Sequence, residues 1–261
     1  VKKVNKDQAM VLARLHLGAI LPLLEDIAAY DDPTRKAIAN WDFPLQFRLA
    51  GGEPATTLVF EKGSVTAHRG KFKGYPPALT FKDASFLNEV FQGKTEKNPT
   101  PNLPGIFKAK QLLQVDEVLG RLEYYLKPEP ELLANPDTFA FCVRITLYAT
   151  AFGIKEVGEH DLEVRPIALD LPDGTVEMRV ADGPAAHLIV KKGNFEPWRG
   201  PAQKPNAILE FNNLQTAWDT FQGNLDTFAA IGNGKIKLRG FIPLIEGINP
   251  LMDRLAYYLS D

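Results

Sequence analysis

Four histidines are the residues best suited to proton transfer or metal binding near neutral pH, and His16, His68, His160 and His187 show no metal-ligand spacing. No His-Glu-x-x-His occurs. The single cysteine, Cys142, excludes an internal disulfide framework and any multi-cysteine metal site. It lies in an apolar stretch, where a buried, inert thiol is expected. Glu156, Glu159, His160, Asp161 and Glu163 gather carboxylates around one imidazole, but their place at the end of an apolar helix reads as a solvated turn. Gly232-Asn233-Gly234-Lys235 hints at a phosphate loop and fails the pattern. Ala229 stands where the first glycine must be, and Ile236 follows the lysine in place of Ser or Thr. The sequence therefore predicts no catalytic residue, no metal and no cofactor.

Charge narrows the partners. A formal net charge of −2 argues against nucleic acid as a bulk electrostatic partner. The total hides an asymmetry: residues 1–127 carry 18 basic against 14 acidic side chains, and residues 128–261 carry 12 against 18. Lys62, Arg69, Lys71, Lys73 and Lys82 lie in a run without acids, interleaved with Phe72, Tyr75 and Phe81. This run reads either as a solvated loop or as a transient contact with an acidic membrane surface. Two apolar stretches are too interrupted to span a bilayer. Ala9–Ala29 contains Arg14, His16, Pro22, Glu25 and Asp26, and Thr138–Gly153 is shorter and contains Arg144. Both read as core helices. No secretory leader is expected, because the first run starts late and carries Arg14, and a cytoplasmic location suits the lone cysteine.

The elements that must position any site come in duplicate. Phe91-Gln92-Gly93 recurs as Phe221-Gln222-Gly223, 130 residues on. At that offset Lys62-Gly63 meets Lys192-Gly193, Arg69-Gly70 meets Arg199-Gly200, and Leu79-Thr80-Phe81 meets Leu209-Glu210-Phe211. Arg48 to Gly52 resembles Arg179 to Gly183 at offset 131, and Tyr124-Tyr125-Leu126 recurs as Tyr257-Tyr258-Leu259 at offset 133. Six matches in one order imply two diverged copies, 1–127 and 128–261, joined at Lys127-Pro128-Glu129-Pro130. This short, proline-stiffened link leads us to expect copies packed together.

Each copy predicts an apolar helix first, over about 7–29 and about 131–157, and then alternating strands. Leu45, Phe47 and Leu49 lead through a Gly-rich turn to Leu58 and Phe60; Val176, Met178 and Val180 lead through Asp182-Gly183-Pro184 to Leu188 and Val190. A third strand follows at Ala78–Phe81 or Ile208–Phe211, and then a helix. Lys235-Ile236-Lys237-Leu238 predicts another strand, aligned in copy one with Asn102–Ala109. An apolar stripe closes the chain, with Asn249-Pro250 expected to split it into two short helices.

Over about 165–259 the chain resembles the sterol carrier protein 2 family of lipid-binding domains. The resemblance rests on a hairpin with a Lys-Lys-Gly turn, the Ala-Ile-Leu-Glu-Phe strand, the helix ending Phe221-Gln222-Gly223, and Gly234-Lys235-Ile236-Lys237-Leu238-Arg239-Gly240. It implies an α+β fold, with each copy a mixed five-stranded sheet under covering helices, and binding or transfer of a hydrophobic small molecule of fatty acyl, sterol or isoprenoid type. Copy one departs from the pattern: Ala109 replaces the terminal glycine, and Thr95–Pro104 is a Pro- and Asn-rich insert. The predicted pocket of copy two is lined by Leu209, Phe211, Ile236 and Leu238 from the strands. Trp218, Phe221, Phe228 and Phe241 add rings, and Leu244, Ile245, Ile248 and Met252 add the helical wall. Two rival readings stay open: an enzyme on an apolar substrate, with a group such as His187 near the pocket mouth, and an interaction module with a filled core. The sequence leaves the oligomeric state open.

Overall fold

The structure is a computed structural model that describes residues 5–70 and 72–259, so Lys71 of the basic run lies outside the described residues. The chain forms two compact units, Val1–Tyr125 and Leu126–Asp261.

In the first unit, α1 (Lys6–Leu15) starts at a capping box between Asn5 and Gln8. Its single predicted helix does not run through to residue 29. A π turn (His16–Ile20) and a 3-10 turn (Leu21–Leu23) intervene before α2 (Leu24–Tyr30) and α3 (Asp32–Ala37). The cause is Pro22, which has no N–H for the carbonyl of Gly18. Arg69 Nε donates to that carbonyl instead, at 2.6 Å, and the Thr56 hydroxyl donates to Leu17 O at 2.7 Å. The strands are β1 (Asp42–Leu49), β2 (Ala55–Glu61), β3 (Ser64–Arg69), β4 (Ala78–Phe81) and β5 (Thr100–Pro101). They form a mixed sheet in the order β3-β2-β1-β4-β5, with β1 and β4 parallel. The helices α4 (Ala84–Phe91), α5 (Leu103–Ile106), α6 (Ala109–Leu112) and α7 (Val115–Leu126) complete the unit.

The second unit repeats this plan. Its short α8 (Pro130–Leu133) precedes α9 (Pro136–His160), which is capped by Asn135 with Pro136 in the first turn. Residues around most of the circumference of α9 are buried, as its apolar composition requires. Then come α10 (Arg165–Asp170), β6 (Gly174–Val180), β7 (Ala185–Lys191), β8 (Asn194–Arg199), β9 (Ala207–Phe211), α11 (Leu214–Phe221), α12 (Thr227–Gly232), β10 (Ile236–Gly240) and α13 (Ile242–Leu259). The sheet order β10-β9-β6-β7-β8 mirrors that of the first unit element for element.

The repeat holds to the register. Thr56 pairs with Arg69 and Glu61 with Ser64, while Ala186 pairs with Arg199 and Lys191 with Asn194. Both hairpins turn through a lysine and a glycine at positive φ, 48° and 97° in one and 50° and 69° in the other. That geometry favours glycine at the second position and tolerates lysine at the first only at a cost. Phe91 and Phe221 both end the helix after the parallel strand, and each is followed by a Gln cap.

Two predicted elements differ. Asn102–Ala109 is not a strand. The Asn102 side chain accepts from Gly105 N and Pro104 sits in the first turn, so the segment starts a helix, and the fifth strand shrinks to Thr100–Pro101. Pro250 does not divide the last helix: α13 runs through it. Leu244, Ile245 and Ile248 before the proline and Leu251, Leu255 and Tyr258 beyond it are all buried, and that two-sided burial overrides the local breaker.

Candidate functional site

Strand pairing sorts the side chains of the second sheet onto two faces. Met178 pairs with Leu209, Val180 with Phe211, Leu209 with Leu238, and Phe211 with Ile236, so these six share one face. α13 packs against β6, β9 and β10 on this face. It brings Leu244, Ile245 and Ile248 there, each no more than 2% exposed. Phe211 and Ile236 are equally enclosed, and Leu209 is buried. Trp218 is buried with its ring 6.1 Å from Phe139, and Phe221 meets Phe211 edge-on at 5.5 Å.

The other predicted pocket residues lie progressively further out. Phe221, Leu238 and Met252 are half-buried, although Leu238 shares a face with buried Leu209. Phe241, directly after β10, is 44% exposed, and Phe228 on α12 is 89% exposed. α12 packs against β10, so Phe228 belongs to the same edge of the sheet. An apolar strip therefore runs from the enclosed core, across the half-covered edge strand, to solvent.

His187 is not part of that strip. It pairs with Glu177, one residue out of phase with Met178, and so projects from the opposite face. There its Nδ1 lies 2.9 Å from Gly200 O and its ring stacks on Trp198. The same face carries an ion-pair ladder that the sequence analysis overlooked. Arg179 donates to Glu210 at 2.6 Å and to Glu177 at 3.2 Å, and Arg239 donates to Glu210 at 3.1 Å. The hydrogen bond from Arg179 holds the Glu210 carboxyl below the usual carboxylate range. The first unit has Gln46, Arg48 and Thr80 at the matching positions.

The acidic cluster of 156–163 is not a solvated turn. Glu156 and Asp161 are buried, and Glu159 accepts from Lys155 Nζ at 2.7 Å and from Phe195 N at 2.8 Å. Asp161 accepts from Arg254 Nε at 2.7 Å and from the Tyr258 hydroxyl at 2.5 Å. The first unit repeats the arrangement: Asp31 accepts from Arg121 Nε at 3.0 Å and from the Tyr125 hydroxyl at 2.8 Å. Burial pushes both carboxyls up, but the hydrogen bonds they accept outweigh it and hold both below the ordinary value. These triads tie the start of each unit to its last helix, which is structural work. The signal that could have found them was the repeat itself, since Asp31, Arg121 and Tyr125 recur at offsets of 130 and 133.

Cys142 is fully enclosed, and burial pushes its thiol up to about 11. Among the described residues no three His, Cys, Asp or Glu side chains are grouped to hold a metal ion, and no helix is long and apolar enough to cross a membrane.

No family model and no curated protein matches the chain. Solved structures do. The chain is similar to sterol carrier protein domains. A sterol carrier protein domain 2 of Helicoverpa armigera is 19% identical, with 44% of this chain and 92% of that one covered, at a TM-score of 0.35. Apo sterol carrier protein 2 from Yarrowia lipolytica is 12% identical over 42% and 92%, at 0.33. Sterol carrier protein 2 like 2 from Aedes aegypti is 19% identical over 42% and 97%, at 0.29.

Proposed function

We propose that the second unit binds a hydrophobic small molecule of fatty acyl, sterol or isoprenoid type, entering at the β10 edge and lodging between β9, β10 and α13. The observation that supports this reading is Leu238. It lies on the core face of the sheet beside buried Leu209, yet it stays half-buried, with exposed Phe241 and Phe228 at the same edge. An uncovered apolar edge beside the core is costly unless something apolar uses it. The driving force is burial of the ligand, with few directional contacts. Ten methylenes taken out of water supply about 8 kcal/mol, the scale of micromolar binding before ordering costs are met.

The test has two arms. Native mass spectrometry of protein purified without added ligand should reveal co-purified lipid. A fluorescent fatty acid should be taken up by the wild type and at least about tenfold less well by Leu238→Asp, whose half-buried position lets the fold survive. No co-purified lipid together with no uptake by the wild type would move the reading to an interaction module with a filled core.

A further inference from the structure

Leu103, Ile106, Phe107 and Leu113 of the first unit are 64%, 55%, 80% and 85% exposed. One exposed leucine means little, but four large apolar side chains within eleven residues form a patch that ordinary surfaces avoid. Between them only Gly105 is buried.

The segment is held firmly. The Asn102 Oδ1 accepts from Ala78 N and from Gly105 N, both at 2.9 Å, and its Nδ2 donates to Pro76 O at 2.8 Å. Gly105 rides so close to β4 that a Cβ there would stand 3.3 Å from Ala78 O. The bond to Pro76 also draws in the preceding loop, where Lys73 is exposed and Tyr75 is 64% exposed. The apolar segment and one end of the basic run thus meet at Asn102.

The charge has one sign. Between Glu96 and Asp116 the chain has no acidic residue and three lysines, Lys97, Lys108 and Lys110. Lys108 leans over the Phe43 ring at 4.9 Å, while Lys110 is exposed. The rest of the basic run is spread out: Lys62 sits in the β2–β3 turn, Arg69 is engaged by Gly18, and Lys82 lies 4.0 Å from Asp83.

We propose that this face of the first unit docks on an anionic membrane surface, with Phe107 and Leu113 entering the acyl boundary and Lys73, Lys110 and Tyr75 at headgroup level. Exposed apolar groups rimmed by lysines, with an aromatic hydroxyl at the edge, match the layered chemistry of that surface. The inference does not rest on the ligand reading, which concerns the other unit.

The test is co-sedimentation of the full chain with vesicles of phosphatidylcholine, alone or mixed with phosphatidylserine. Binding should require phosphatidylserine and weaken as salt rises. Phe107→Asp with Leu113→Asp should lower it at least about tenfold. Lys73→Gln with Lys110→Gln should lower it by roughly fivefold per lysine and flatten the salt dependence. All four side chains are exposed, so circular dichroism should match the wild type, and Lys204→Gln in the second unit should bind as the wild type does. The proposal is overturned by three results: no binding to mixed vesicles, binding that the apolar pair leaves unchanged, or self-association abolished by that pair without any vesicle binding.

Discussion

Replacing Asp161 by alanine should cost the second unit far more than the loss of one surface carboxylate. The side chain is 2% exposed and its partner Arg254 only 11%. Without Asp161 the guanidinium keeps as anionic partner just the outward carboxylate of Glu163, which is 64% exposed, beside the Tyr258 hydroxyl at 3.5 Å, and that hydroxyl loses its acceptor. Stranding one member of a buried ion pair typically costs about 3–5 kcal/mol. Tyr258→Phe removes the hydrogen bond to the charged Asp161 acceptor and the longer one accepted from Arg254, and about 1.5–3 kcal/mol is expected. In the Asp161→Ala background the same tyrosine change should cost much less, because the charged acceptor is already gone and only the 3.5 Å bond from Arg254 is left to lose. With a urea slope of about 1.5 kcal/mol per molar, a loss of 3 kcal/mol moves the unfolding midpoint by roughly 2 M. Tryptophan fluorescence can follow it, since Trp198 and Trp218 lie in the second unit and Trp41 in the first. Asp31→Ala should act likewise on the transition of the first unit. A cost below about 1 kcal/mol for Asp161→Ala, or an equal cost of Tyr258→Phe in both backgrounds, would refute the claim that the triad is a buried, cooperative clamp.

The same triads set limits in pH. Both Asp pKa values are lowered from 3.8 on folding, so their stabilisation is full above that pH and fades as the pH falls below it; both Tyr pKa values are raised from 10.0, so theirs is full below pH 10 and fades above it. Urea midpoints measured across pH should show both flanks, and Asp161→Asn with Tyr258→Phe should flatten those of the second unit. Gly240→Ala should destabilise by about 2 kcal/mol or more, because φ is +81° and the new Cβ would stand 2.2 Å from Asn206 O; Gly200→Ala, at φ +80° in open space, should cost less in thermal melts. Cys142 should resist a thiol reagent in the native protein at mildly alkaline pH and react at once in urea. Ile248→Trp should reduce fatty-acid uptake sharply. If the space beside Ile248 admits ligand its stability cost stays small; a loss of about 1–3 kcal/mol with no uptake by the wild type would mark a close-packed core.

What the sequence could reveal was whatever leaves a local trace. Lys62-Gly63 and Lys192-Gly193 mark a tight turn by composition, and their spacing from the Phe-Gln-Gly helix ends carried the register of both sheets. The fifth strand of the first unit escaped because Asn102 and Pro104 act through a cap that competes with strand pairing. Pro22 marks the break near His16–Ile20 locally, but the capture of the Leu17 and Gly18 carbonyls needs Thr56 and Arg69 from strands some 40 to 50 residues away, which no periodicity displays. The buried role of Asp161 was hidden for the same reason, since Arg254 is distant in the chain. Among the residues predicted to line a pocket, those on regular elements, such as Phe211 and Leu244, are buried as their pattern of apolar positions implies. Phe228 and Phe241 flank β10 in short or irregular segments, where hydrophobicity alone does not distinguish buried from exposed.

The captured carbonyls of Leu17 and Gly18 also bear on how each opening helix can move against its sheet. α9 is tied to β8 by its side chains: Lys155 Nζ donates to Phe195 O at 3.1 Å and Glu159 accepts from Phe195 N at 2.8 Å. The first unit's opening helix has two backbone oxygens hydrogen-bonded to side chains of β2 and β3, so sliding it means breaking those bonds together. Both opening helices are riveted to their sheets, the first by its own backbone and the second by its side chains. Neither helix can slide along its sheet without giving up two such hydrogen bonds together.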